Sequence, residues 1–362
     1  MTPRDKASTT IFPNMRDVAA LAGVSLSAVS LVVNDRRGVG PDKRARVVAA
    51  MHELGYVPGG RLSTASEKKV LGLLMESLAV PVYNDGFYMR IIAGIEDAAD
   101  RLGYRLLLHR YRPGVDPSSD IRELMGRDVD GLIVANDGDL TADVIRQIAG
   151  RARAVVLVEN YLSEPVHAVT ADNFTAGLTV TNHLIELGHR RIGALPGPQK
   201  YSSLCDRMRG HNVALIEHGL GIDGALQPRP SVSHPKKGYV QMHELLALQE
   251  RPTAVFAVSD QTAFGAMEAI KEVGLRIPDD ISIVAIDDVA ESAYSSPPLT
   301  TFHVPKYKLG ETAVALLHDL LSGSSRAPAK TVLIGYLAPR QSCAPPRTKQ
   351  LASVVPDRSG ES

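Results

Sequence analysis

Arg207, Asp287, Glu159 and Ser259 are polar residues placed just after, or one loop beyond, short apolar runs, and Phe87 and Tyr88 open a long helical pattern. Carboxylates and an arginine converging on a cleft can hold sugar hydroxyls through paired hydrogen bonds, and aromatic rings can pack on the sugar's face. For Arg207 and Asp287 the alternative is an ion pair that only ties loops together; for Phe87 and Tyr88 it is core packing. Glu159 and Ser259 leave both readings open. Other chemistry finds less support. His183 and His189 lack zinc-ligand spacing with a third partner, and Cys205 has no neighbouring base. Gly193–Lys200 has neither phosphate-loop spacing nor a Ser/Thr after the lysine. Asp287 and Asp288 have no second catalytic element beside them. No catalytic residue, metal site or cofactor is therefore expected.

The elements that must position these side chains are strands alternating with helices. Val70–Met75, Tyr104–Leu108, Gly131–Val134, Ala154–Val158, Arg191–Leu195, Ala254–Val258 and Ile281–Ile286 read as buried strands, and a helix runs from about Tyr88 to Leu102 before Gly103. Such alternation predicts parallel sheets with helices on both faces. There are too many strands for one compact sheet, so two α/β halves are expected. Ligands of open parallel sheets sit beyond the carboxyl ends of the strands, which is where Glu159, Ser259, Asp260 and Asp287 fall. Arg207 follows in the loop-to-helix segment after Leu195.

The first sixty residues read differently. Asn14 can cap a helix from Met15, with Val18, Leu21 and Ala22 on one face and Gly23 as its stop. Val24 is an apolar plug, and Ser25 caps a second helix, Leu26 to about Asn34, burying Val29, Val32 and Val33. Two short helices joined by Gly-Val-Ser, with small Ala19 at the crossing, form a helix-turn-helix. A third helix has Pro41 in its first turn, a stripe of Val47, Ala50, Met51 and Leu54, and Gly55 as its stop.

Composition sets the outer bounds. The 362 residues allow one large domain and a small one, and 44% hydrophobic with 22% charged residues is a globular balance. No apolar run approaches a membrane span, and the N-terminus has no leader character, so the expected location is the cytoplasm. Two cysteines make no disulfide framework. Net charge is zero, yet residues 1–69 carry eleven Lys/Arg against six Asp/Glu, while the remainder carries 29 against 34. A basic front suggests an anionic partner; chance asymmetry is the alternative reading of charge alone.

MRDVAALAGVSLSAVSLVVND and ARVVAAMHELGYVP resemble the headpiece of the LacI–GalR family of bacterial repressors. HLIELGHRRIGALPGP (183–198), SSLCDRMRGHNVAL (202–215), residues 251–288 and PPLTTFHVPKYKLG (297–310) resemble that family's sugar-binding core. The resemblance implies a helix-turn-helix headpiece (1–58), a hinge (59–69), a two-lobed periplasmic-binding-protein-like core of parallel sheets (70–346) and a disordered tail (347–362). Within the core it implies one lobe of about 70–171 with 305–331 and a second of about 172–304 with 332–346, joined by three crossovers.

It further implies a transcription regulator, acting as a homodimer on pseudo-palindromic operator DNA and controlled by a small-molecule effector, expected to be a carbohydrate, with a purine-like or other small polar ligand as the alternative. Leu26, Ser27 and Leu31 would meet bases, and Ser25, Ser30, Asn34 and Arg44 phosphates. Leu62 would wedge into the minor groove, although Gly59 and Gly60 disfavour the required helix and a plain flexible linker is the alternative. Arg207 and Asp287 match the family's best-known effector positions. Glu159 stands where an acid is common, and Ser259 replaces a frequent asparagine. Leu31 departs from a frequent arginine. The competing readings are a solute-binding receptor, which needs an export signal and no basic front, and an α/β enzyme, which needs catalytic groups that are missing.

Overall fold

In the computed structural model, the described residues are 15–33, 36, 38–54, 69–77, 86–112, 118–125, 129–135, 140–160, 165–229, 236–323 and 327–347. Asn14, Asn34, Gly55, the hinge with Leu62 but for Lys69, and all but the first residue of the tail lie outside them. The chain divides into two compact units between Lys68 and Lys69.

The first unit is three helices, α1 (Met15–Ala22), α2 (Leu26–Val33) and α3 (Pro41–Leu54). Gly23 has φ +63°, the left-handed turn that a glycine takes without steric cost. The chain turns by 109° between α1 and α2, within the range of a helix-turn-helix. Ser25 starts α2, its Oγ accepting from the Ala28 amide at 3.3 Å. The core is Val18, Ala19, Ala22, Val29, Val32, Val47 and Ala50, with Val24, Val33, Met51 and Leu54 packed on it. Leu21 is a correction: it is 46% exposed. At about 100° per residue, Val18, Ala19 and Ala22 share one arc of α1, and Leu21 lies outside it.

The second unit begins with β1 (Val70–Glu76), α4 (Gly86–Arg101), β2 (Arg105–Tyr111), α5 (Ser118–Met125), β3 (Gly131–Ala135), α6 (Ala142–Ala149), β4 (Val155–Val158) and β5 (His167–Ala171). There follow α7 (Asn173–Glu186), β6 (Ile192–Leu195), α8 (Ser202–Glu217), α9 (Lys237–Leu246), β7 (Ala254–Ala257), α10 (Asp260–Glu272), β8 (Ser282–Asp287) and β9 (Thr300–His303). The unit closes with α11 (Lys306–Leu321), β10 (Lys330–Leu333) and β11 (Tyr336–Ala338).

Two sheets form, in strand orders β10-β5-β4-β3-β1-β2 and β11-β9-β8-β7-β6. The chain passes between them three times: after β5, after β9 and after β10. Strands covered by helices on both faces are apolar along their whole length, as Val155–Val158 and Ala254–Ala257 are. Four strands carry no sequence expectation, namely β5, β9, β10 and β11. Each is either interrupted by polar residues or only three residues long, so none shows the continuous apolar run that marks the equally short β4, β6 and β7. The second sheet is also not wholly parallel, because β11 runs antiparallel to β9: the last crossing brings the chain to that edge from the opposite end. α4 begins at Gly86, two residues before the expected start, and β2 extends to Tyr111. Among the described residues no single helix is long and apolar enough to cross a membrane.

Candidate functional site

On the first unit, the side of α2 turned away from Val29 and Val32 carries Leu26, Ser30, Ser27 and Leu31. At about 100° per residue these four span one continuous face. Leu26 and Ser27 are exposed, while Ser30 and Leu31 are half-buried. The connection to α3 folds over Leu31: a Cβ on Gly38 would lie 3.5 Å from Leu31 Cδ1. Ser25 is committed to its cap and also pairs with the Ser27 hydroxyl at 3.0 Å. Arg44 donates to the Arg36 carbonyl at 3.1 Å and so braces the same connection. Arg16, Arg36, Lys43 and Arg46 are also exposed on this unit; sequence reasoning did not single them out, although their charge was the available signal.

In the second unit, buried polar side chains meet at the carboxyl ends of the strands. Arg207, on α8, is 2% exposed. Its Nε donates to Asn173 Oδ1 at 2.9 Å, and Nη1 donates to the Val258 carbonyl at 2.7 Å and to Asp287 Oδ1 at 2.9 Å. Glu159 accepts from the Ala171 amide at 2.5 Å and from Asn173 Nδ2 at 3.3 Å. A continuous relay therefore runs Glu159–Asn173–Arg207–Asp287, from the end of β4 in the first sheet to the end of β8 in the second.

The backbone bears the mark of the same place. Among the described residues, the non-glycine positions with positive φ are Glu159 (57°), Asp287 (139°) and Asp288 (55°). Such conformations persist where surrounding contacts over-determine them, and they gather at functional sites. The Lys306 ammonium, at the start of α11, donates to the carbonyls of Asp287 and Asp288 and holds that strained corner. Asp288 takes His303 at 2.8 Å and Arg340 at 2.6 Å. Burial pushes the Asp287 carboxyl up to about 7 against the pull of Arg207.

Other expected residues have defined neighbours. Ser259 caps α10 by accepting from the Thr262 amide. Asp260 is fully buried and accepts from the Val289 amide and from the hydroxyls of Ser292 and Thr301, fixing the loop after Asp287. Phe87 and Tyr88 are half-buried, stand edge to face at 5.2 Å and pack against the core. Between the sheets, Glu76 at the end of β1 accepts from Lys200 Nζ at 3.0 Å and Tyr201 Oη at 2.9 Å. Asn160 accepts from Ser202 at 3.1 Å. Asn173, Lys306 and Glu76 were not anticipated, because their partners lie on the far side of chain crossings.

Arg207 owes its place to a glycine contact. A Cβ on Gly177 in α7 would stand 1.9 Å from the Arg207 carbonyl oxygen, and one on Gly210 in α8 would stand 2.1 Å from that of Phe174. The two helices touch backbone to backbone at Arg207. Gly177→Ala is expected to push α8 away, cost about 1–3 kcal/mol by overpacking, and displace the guanidinium. Gly221→Ala, with nothing within 4 Å, is the control and is expected to stay within about 0.5 kcal/mol. Chemical denaturation of both variants checks this.

Residues 14–59 match the family described as bacterial regulatory proteins, lacI family, and residues 181–343 match a periplasmic binding protein-like domain. The HTH-type transcriptional repressor PurR of Yersinia pestis bv. Antiqua (strain Antiqua) is 33% identical over 346 residues, 91% of this chain and 96% of the relative. The PurR of Photobacterium profundum is 32% identical over 316 residues, 84% and 91% of the two chains.

The chain belongs to the LacI–GalR family.

Two solved structures of this LacI–GalR regulator's fold are similar along almost their whole length. A CelR–cellobiose complex has a TM-score of 0.70 at 31% identity, covering 91% of this chain and 99% of that one. The lac repressor dimer bound to operator and the anti-inducer ONPF has a TM-score of 0.73 at 28% identity, covering 92% and 99%. As a LacI–GalR member the protein is a helix-turn-helix, DNA-binding transcription regulator and not an enzyme.

Proposed function

We propose that this LacI–GalR protein represses transcription as a homodimer on pseudo-palindromic operator DNA, and that a small polyhydroxylated effector bound between the two sheets of its core alters that grip. The relay Glu159–Asn173–Arg207–Asp287 carries this reading: it spans the two sheets, it is buried, and the protein holds strained backbone at both of its ends. A ligand hydroxyl pair competing for Asp287 and Arg207 would break and remake contacts on both halves at once. An effector with different affinity for two arrangements of the halves shifts their populations by that difference alone. The relatives' names give repression and operator binding as the prior, and cellobiose in CelR makes a carbohydrate the first class to test.

On the DNA side, the exposed face of α2 is proposed to read bases through Leu26, Ser27 and Leu31, with Ser25, Ser30 and Arg44 toward phosphates. Two leucines on a reading face favour apolar contact, such as with thymine methyl groups, over the bidentate guanine contact of an arginine. Leu31→Arg is accordingly expected to change the preferred base at its step by about 1–3 kcal/mol of discrimination rather than to strengthen binding uniformly. Selection from a random duplex library with both proteins checks this: two inverted half-sites about one helical turn apart support the dimer reading. An unstructured pool would refute the repressor proposal, and one consensus shared by wild type and Leu31→Arg would refute the assignment of Leu31.

A further inference from the structure

Lys237, the first residue of α9, is 1% exposed. Its ammonium has no hydrogen-bond partner among the described residues. Taking an ammonium out of water costs several kcal/mol unless a partner repays it. The charges acting on Lys237 are those of Asp287 and Arg207, which oppose one another, and Asp287 is already bonded to Arg207.

The position is also fixed toward the strand ends. Gly238 packs α9 against the first turn of α10, where a Cβ would lie 2.0 Å from the Thr262 carbonyl. One turn along from Lys237, Gln241 donates to the carbonyl of Pro196, just past the end of β6, and its Oε1 is likewise without a partner. Lys237 thus lies within electrostatic reach of Arg207 and Asp287, without a hydrogen-bond partner among the described residues, at a helix start whose amides also favour an anion.

We infer that Lys237 is the anchor for an oxyanion group, a carboxylate or a phosphate monoester, on the effector, so that the molecule sensed is a sugar acid or sugar phosphate rather than a neutral sugar. This rests on the proposed effector site between the two sheets. Burial lowers the Lys237 ammonium to about 8, so it remains mostly charged near neutrality and an arriving anion would raise it.

The test is the thermal midpoint of the full-length protein and its Lys237→Met variant, with inorganic phosphate, D-glucose 6-phosphate, D-gluconate and D-glucose, each against chloride of equal ionic strength. Without additive, Lys237→Met is expected to melt higher than wild type, because it removes an unpaired buried charge. Phosphate and at least one of the two acidic sugars are expected to raise the wild-type midpoint and to lose about tenfold or more in affinity in the variant; gluconate without glucose 6-phosphate, or the reverse, identifies which oxyanion the anchor takes. The inference is overturned if Lys237→Met melts lower, if wild type ignores inorganic phosphate, or if the variant keeps the phosphate response. A D-glucose response that Lys237→Met keeps and Arg207→Met loses would overturn the acid group alone and leave the effector site standing.

Discussion

Arg207→Met is expected to lower the unfolding free energy of the core by about 3–5 kcal/mol, the usual cost of removing one partner of a buried ion pair, and to abolish the effect of any ligand on DNA binding. Three bonds leave with the guanidinium: to Asn173, to the Val258 carbonyl and to Asp287. The relay between the sheets is cut at its centre, and Asp287 is left buried without its cation. The double variant Arg207→Met with Asp287→Asn separates the two roles of the pair. Removing both charges together should recover most of the stability, since a paired loss is far cheaper than an orphaned charge. Ligand response should stay lost. If the pair only tied loops together, recovered stability would bring recovered response. Denaturant titration beside operator binding with and without ligand measures both.

Val47→Asp is expected to abolish operator binding while leaving the second unit's unfolding unchanged. Val47 is fully buried at the centre of a core of seven side chains, three of them alanines. A unit that small has little surplus burial to offset an unpaired charge, so the helices should not stay assembled. The next residue supplies the control: Val48 is 53% exposed, and Val48→Asp should cost no more than a few tenths of a kcal/mol. An operator affinity about a thousandfold or more below wild type for the first, with near wild-type affinity for the second, is the expected pattern.

The parts of this molecule legible in its sequence are those whose reasons are local. The Gly23–Val24–Ser25 turn, the Val29 and Val32 face and the Val47 and Ala50 stripe are all specified within a few residues of one another, and the helix-turn-helix follows from them. Arg207 and Asp287 were legible because they stand in or beside segments that follow buried strands. What spacing could not show was which of these groups meet. Asn173 joins Glu159 to Arg207 only because the chain crosses between sheets after β5, and Lys306 reaches Asp287 only after the crossing that follows β9. Glu159 left both readings open in the sequence; in the fold its oxygens face the Ala171 amide and Asn173. Lys237 gave no signal, because a lysine at a helix start ordinarily points to solvent, and only its burial sets it apart. The strands β9 and β10 stayed hidden because polar residues interrupt their apolar runs, and β11 because it has only three residues.

The most direct test of the regulator account is the affinity of the purified protein for duplex DNA from its own upstream region as salt is raised from about 50 to 200 mM. A headpiece that neutralises phosphates releases counterions, so log affinity should fall linearly with log salt, with a slope of about −0.9 per phosphate contacted. The account predicts tight binding at the low end and a slope of several units that Val47→Asp eliminates. Failure to retain that DNA even at the lowest salt, with and without acidic and neutral sugars, would contradict it.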